Sequence, residues 1–138
     1  MAQRWLIKSE PFKYAWEQLL EDGETIWDGV RNHRAANNLR AMQVGDLCFF
    51  YHSNKGLEIV GIAEVSAAGL IDPTDPDGKW PTVKVKPKEP MASPVTLKAI
   101  KANPALEGIE LVRLGRLSVA EITVPEWDEI MRMASAAA

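Results

Sequence analysis

Residues 46–65, DLCFFYHSNKGLEIVGIAEV, decide how this chain folds. The opening DLCFFYH is apolar on both alternating faces from Leu47 to Tyr51, the pattern of a strand covered on each side. SNKG, residues 53–56, supplies a turn, and LEIVGIAEV then resumes the extended run. Gly61 inside that run predicts a bulge or a close backbone approach. A central hairpin implies a sheet, and the flanking segments determine what surrounds it.

Upstream, RWLIK (4–8) reads as a short first strand. YAWEQLLEDG (14–23) carries Trp16, Leu19 and Leu20 at helical spacing, with Gly23 as its stop. NHRAANNLRAMQVGD (32–46) predicts a second helix, capped by Asn32, striped by Ala35, Leu39 and Met42, and closed at 44–46. Downstream, DPTDPDG (72–78) is a proline-rich loop, and WPTVKVK (80–86) alternates Val83 and Val85 with outward Thr82, Lys84 and Lys86. TLKAIKA (96–102) predicts a short helix ended by Asn103-Pro104, and RLSV (116–119) a last strand. TVPEWDEIMRM (123–133) opens with the capping-box pair Thr123 and Glu126. The order β-α-α-β-β-β-α-β-α predicts an α+β fold: a small, mostly antiparallel β-barrel with peripheral helices. The expected organisation is a single domain over 1–134 and a frayed tail over 135–138.

The composition of the 138 residues, 46% hydrophobic and 25% charged, suits a packed core and shows no signature of disorder. No apolar run is long enough to cross a bilayer, so no membrane association is expected. The start, Met1-Ala2-Gln3-Arg4-Trp5, has no apolar export region, which predicts a cytoplasmic protein. A lone Cys48 excludes an internal disulfide and reads as a buried, inert thiol. With only His33 and His52 beside it as soft ligands, neither a metal site nor a cofactor is expected.

A net charge of −3 argues against holding nucleic acid by bulk electrostatics. The charge is uneven, however. Residues 79–101 contain six lysines (79, 84, 86, 88, 98, 101) against the single acid Glu89, either a solvated edge or a phosphate-facing stripe.

A second stretch, TIWDGVRNHRAA (25–36), bears on function. Of the five tryptophans, Trp16 and Trp127 sit on helical apolar faces and Trp5 reads as packing. Trp27 and Trp80 are flanked by polar or turn-forming residues, the context of a partly open ring. The segment KSEP from Lys8, the loop after Trp27, the strand end Tyr51-His52-Ser53 and Trp80 all fall where strand ends converge on a barrel rim. Two indoles facing across such a gap make a slot for a flat heterocycle, and stacking one base contributes about 1–3 kcal/mol. Ser9, Asn32 and Ser53 would hold the base edge, with Val30 at the margin. Arg31, Arg34 and Lys79 would meet phosphates. Plainer roles exist for each: core filling for the indoles, a hydrogen-bonded strand-end histidine for His52, a solvated helix start for Arg31 and Arg34. No nucleophile elbow, P-loop or dinucleotide fingerprint is present, and Tyr51-His52-Ser53 alternate faces, so no enzyme activity is expected.

The ordered set WLIKSEP, IWDGVRN, LRAMQVGDLCFFYHS, IVGIAEV, KWPTVKVK, VTLKAIK and RLSV resembles the EVE-domain family, from about Trp5 to Ile130. The resemblance implies a PUA-like barrel with peripheral helices, related to YTH domains. In those relatives a serine after the first strand's lysine and two tryptophans build an aromatic cage; Lys8-Ser9, Trp27 and Trp80 are the matching positions here. It implies a non-catalytic reader of a modified base in DNA or RNA, modified cytosine foremost. The alternative is a module for a small molecule or modified nucleoside, without a strand. Ala36, where a larger and often basic residue is expected, and Ala120-Glu121, where Gln-Pro is more usual, depart from the family pattern.

Overall fold

The computed structural model describes residues 3–137; the expectations for Met1, Ala2 and Ala138 lie outside the described residues. Strand β1 (Arg4–Ser9) runs parallel to β3 (Leu47–His52), with Arg4 opposite Leu47 and Ser9 opposite His52. The remaining pairs are antiparallel: β3 with β4 (Glu58–Ile71), β4 with β5 (Pro81–Thr96), β5 with β2 (Thr25–Ile26), and β1 with β6 (Val119–Glu121). The sheet order is β2-β5-β4-β3-β1-β6. The expected α+β class and mostly antiparallel sheet are present, but the sheet does not close into a barrel. Its two ends, β2 and β6, are only two and three residues long and do not pair with each other.

Helices cover the sheet instead. They are α1 (Trp16–Asp22), α2 (His33–Ala41), α3 (Leu97–Lys101), α4 (Glu110–Arg113) and α5 (Val124–Ala137), with a 3-10 turn at Pro104–Leu106. Helix α5 packs on β5, and α2 on β5 and β6. The predicted caps hold. Asn32 Oδ1 accepts from the Ala35 amide at 3.0 Å, and Thr123 and Glu126 exchange the two bonds of a capping box. Helix α2 ends at Ala41, short of 44–46, and α5 carries through residues 135–137, where a frayed tail was expected. The short elements β2, α4 and the 3-10 turn have no periodic signal in the sequence.

The central strand explains the packing. Every residue of β3 after Leu47 is buried, because alternate side chains meet different partners. Phe49 stacks on Trp127 of α5 at 3.7 Å between centroids. Phe50, pointing the other way, meets Trp16 at 5.5 Å and Trp27 at 5.6 Å, both edge-on. Gly61 of β4 lies opposite Phe50, and the register slips beside it. A Cβ there would come within 2.5 Å of the Trp16 ring, so the bulge and the close approach predicted from sequence coincide. Cys48 is fully buried, and that burial pushes its thiol far above the ordinary range. Trp5 is also core; its Nε1 donates to buried Asp46 at 3.0 Å.

Candidate functional site

Because Ser9 pairs with His52, β1 and β3 end at the same place. The turn after β1, the loop after β2, the turn after β3, helix α3 and segment 111–118 surround an open cavity of about 1010 Å³ there. Local hydrogen bonds shape its walls. The amides of Lys13 and Tyr14 both donate to Glu10 O at 2.9 Å, and Ser9 Oγ donates to Tyr14 O at 2.6 Å. The Trp27 amide donates to Val83 O at 2.9 Å and Thr82 Oγ1 donates to Trp27 O, prolonging the β2–β5 pairing.

Trp27 is 8% exposed, wedged edge-on between Phe50 and Tyr14. Its indole N–H and the Tyr51 hydroxyl find no hydrogen-bond partner among the described residues, yet neither atom is sealed in. Both side chains line the cavity. Burial raises the Tyr51 phenol further above its ordinary value, so it stays a donor at neutral pH. Lys8 Nζ donates to Gly115 O at 2.8 Å and sits 5.9 Å from the Tyr51 ring centre; burial lowers its pKa.

The loop carrying Trp27 is anchored from behind. Asp72, 1% exposed, accepts from Gly29 N at 2.7 Å, Arg31 at 2.9 Å, Thr74 N at 2.8 Å and Thr74 Oγ1 at 2.6 Å. Burial alone would raise its pKa. The bonds from Thr74, Arg31 and Gly29 outweigh burial and hold the carboxyl well below the usual carboxylate range. Arg31 is therefore a strut as well as a cavity-lining cation.

Five basic residues line the cavity (Lys8, Lys13, Arg31, Lys101, Arg116) against two acids, Glu10 and Asp28. Among the described residues Lys101 and Arg116 have no acidic partner, whereas Lys13 lies 3.3 Å from Glu10. The lysine-rich run divides: Lys84 and Lys88 sit 3.8 and 3.9 Å from Glu24 and Glu64, and Lys101 alone of the six reaches the cavity. A chain with net negative charge thus presents a locally positive cavity.

Of the residues singled out in the sequence, Lys8, Ser9, Trp27, Val30, Arg31, Asn32, Tyr51 and Ser53 line this one cavity. His52 and Trp80 do not. His52 points inward, where its Nε2 accepts from the Trp16 amide at 3.1 Å; burial lowers its pKa, opposed by Glu17 and Glu58. Trp80 stacks on His33 at 5.1 Å and lies 5.6 Å from the Arg31 guanidinium. Its backbone is fixed there by the Asp75 carboxylate and the Asp72 amide, so no slot of two facing indoles is formed at this cavity. Arg34 pairs with Glu110 at 3.1 Å beside a separate depression, and exposed Lys79 lies outside both hollows. Asn32 and Ser9 reach the cavity but already serve as cap and turn brace. Sequence reasoning missed Lys13, Tyr14, Leu111, Val112 and Arg116; the run 79–101 signalled only Lys101. Among the described residues no cluster could hold a metal ion.

The EVE domain matches residues 3–133. Thymocyte nuclear protein 1 of Rattus norvegicus is 34% identical over 170 residues, spanning 99% of this chain and 75% of that protein. A crystal structure from Agrobacterium tumefaciens superposes with a TM-score of 0.94 at 49% identity, covering 96% of this chain and 93% of that one. Human THYN1, solved in complex with 5-methylcytosine containing DNA, superposes at 0.89 and 29% identity, covering 96% and 98%. An ASCH protein of Zymomonas mobilis, with 95% of each chain covered, shares the fold alone, at 0.55 and 12%. With sequence and backbone alike over nearly its whole length, this chain belongs to the EVE-domain family.

Proposed function

We propose that the cavity beside Trp27 takes a modified base swung out of a DNA strand, with 5-methylcytosine the first candidate, and that the protein reads the base without transforming it. One observation carries this reading. Trp27 and Tyr51, whose indole N–H and phenol O–H find no partner among the described residues, line one cavity together with five cations and two acids. The complex of human THYN1 with 5-methylcytosine containing DNA supports it.

The energies are of the right size. Extruding a base costs a few kcal/mol from a duplex and less from a single strand. Contact with Trp27 and hydrogen bonds from its indole N–H and the Tyr51 hydroxyl, each about 0.5–1.5 kcal/mol, offset part of that cost. A methyl group entering an apolar niche adds roughly 0.8 kcal/mol. Leu97, Leu111 and Val112 supply apolar lining of that kind. Lys101 and Arg116, which have no acidic partner among the described residues, would meet the backbone phosphates, so binding weakens as salt rises.

The test is a titration of matched DNA and RNA oligonucleotides, with and without one 5-methylcytosine, at several salt concentrations. Tighter, salt-sensitive binding of the modified DNA supports the proposal. Equal affinity for modified and plain strands contradicts it. Binding of the free modified nucleoside alone, insensitive to salt, would identify a nucleoside module instead.

A further inference from the structure

The turn after β1 carries an aromatic that the cavity does not use. Phe12 is 66% exposed, although every other phenylalanine and tryptophan among the described residues is buried or half-buried. Large apolar groups on a surface are unremarkable singly, but this one has a particular position. Glu10, Lys13 and Tyr14, on either side of it, all line the cavity, while Phe12 itself does not. The turn is also stiff. Two amides close on Glu10 O, Ser9 Oγ braces Tyr14 O, and the Tyr14 ring packs edge-on against Trp27, 6.2 Å between centroids. Phe12 is therefore held at the rim, and Lys13, 72% exposed, stands next to it in the chain.

We propose that Phe12 is a wedge that enters a DNA duplex at the position vacated by the extruded base. The inference rests on the proposed reading that the cavity takes such a base. Extrusion leaves a gap between the neighbouring base pairs, and an apolar side chain inserted there replaces part of the lost stacking. The phenyl ring offers a flat apolar surface, and Lys13, once it exchanges its exposed pair with Glu10, offers a cation for the phosphate beside the gap. The turn is coupled to the cavity lining through the Tyr14–Trp27 contact, so the wedge and the pocket keep a fixed separation. A single strand has no gap to fill. Phe12 therefore matters for duplex binding and is indifferent for a single strand.

The experiment compares Phe12→Ala and Phe12→Leu with the natural protein on two probes: a duplex with one central 5-methylcytosine, and the modified strand alone. With the aromatic stacking lost, Phe12→Ala should weaken duplex binding roughly tenfold. Single-strand affinity stays within about twofold, and Phe12→Leu recovers part of the duplex loss. Unchanged duplex binding in Phe12→Ala overturns the wedge, and so does an equal loss on both probes, while the cavity reading survives either result. If the natural protein binds neither probe, both fall.

Discussion

Trp27 meets Phe50 edge-on, with 5.6 Å between ring centroids and 81° between planes. The residue that opens on the cavity is thus also part of the core, and removing it has two consequences. Trp27→Ala should destabilise the protein by roughly 3–5 kcal/mol in urea unfolding, as large buried aromatics do. Trp27→Phe keeps an aromatic edge on Phe50 but removes the indole N–H. It should cost clearly less stability while still weakening binding of a modified oligonucleotide. Equal stability losses for the two variants would contradict this packing.

Asp72 sets an acid limit. Its folded pKa lies below its unfolded one, so the stabilisation from the ionised carboxylate is complete above the ordinary carboxylate range near pH 4. It is lost as pH falls through the lower folded value. Asp72→Asn should cost about 1–3 kcal/mol at neutral pH, with donors left unsatisfied. The variant's stability should also fall less steeply below about pH 4. Parallel acid profiles for the two proteins would show that Asp72 does not anchor the loop.

The cations lining the cavity differ in kind. Lys101→Ala and Arg116→Ala should each lower the slope of log affinity against log salt by about one, with little effect on unfolding. Arg31→Ala should instead lower stability, because its guanidinium is tied to Asp72 and Thr74. Three equal salt effects without any stability change would contradict this division.

Much of this was legible because the signals are local. The Asn32 cap, the Thr123–Glu126 box and the helical spacing of Trp16 and Trp127 each fall within a few residues. The bulge at Gly61 was marked by the glycine itself. Strand order was not legible, since the alternation that makes a strand says nothing about its neighbour; this is why an expected barrel proved to be an open sheet. The cavity's far wall was hidden for the same reason. Lys8 bonds to Gly115, 107 positions away, and no periodicity reports such a contact. Trp80 misled because polar neighbours suit an indole over His33 and Arg31 as well as one lining a pocket.

The pairing of Gly61 with Trp16 checks the fold. Gly61→Ala should cost at least 1–3 kcal/mol, since the added methyl meets the indole. Gly108→Ala, with open space at its Cβ, should be close to neutral, and a similar cost at both sites would refute the close approach.

Entry of a base beside Trp27 is followed by the tryptophan indole N–H signals in a nitrogen-15 correlation spectrum. The spectra are recorded while DNA carrying one 5-methylcytosine is added. The Trp27 signal should move or broaden, and those of Trp5 and Trp127, bound to Asp46 or stacked on Phe49, should stay in place. A Trp27 signal unmoved at saturation, with shifts at Trp80 instead, would mean that the base does not enter beside Trp27.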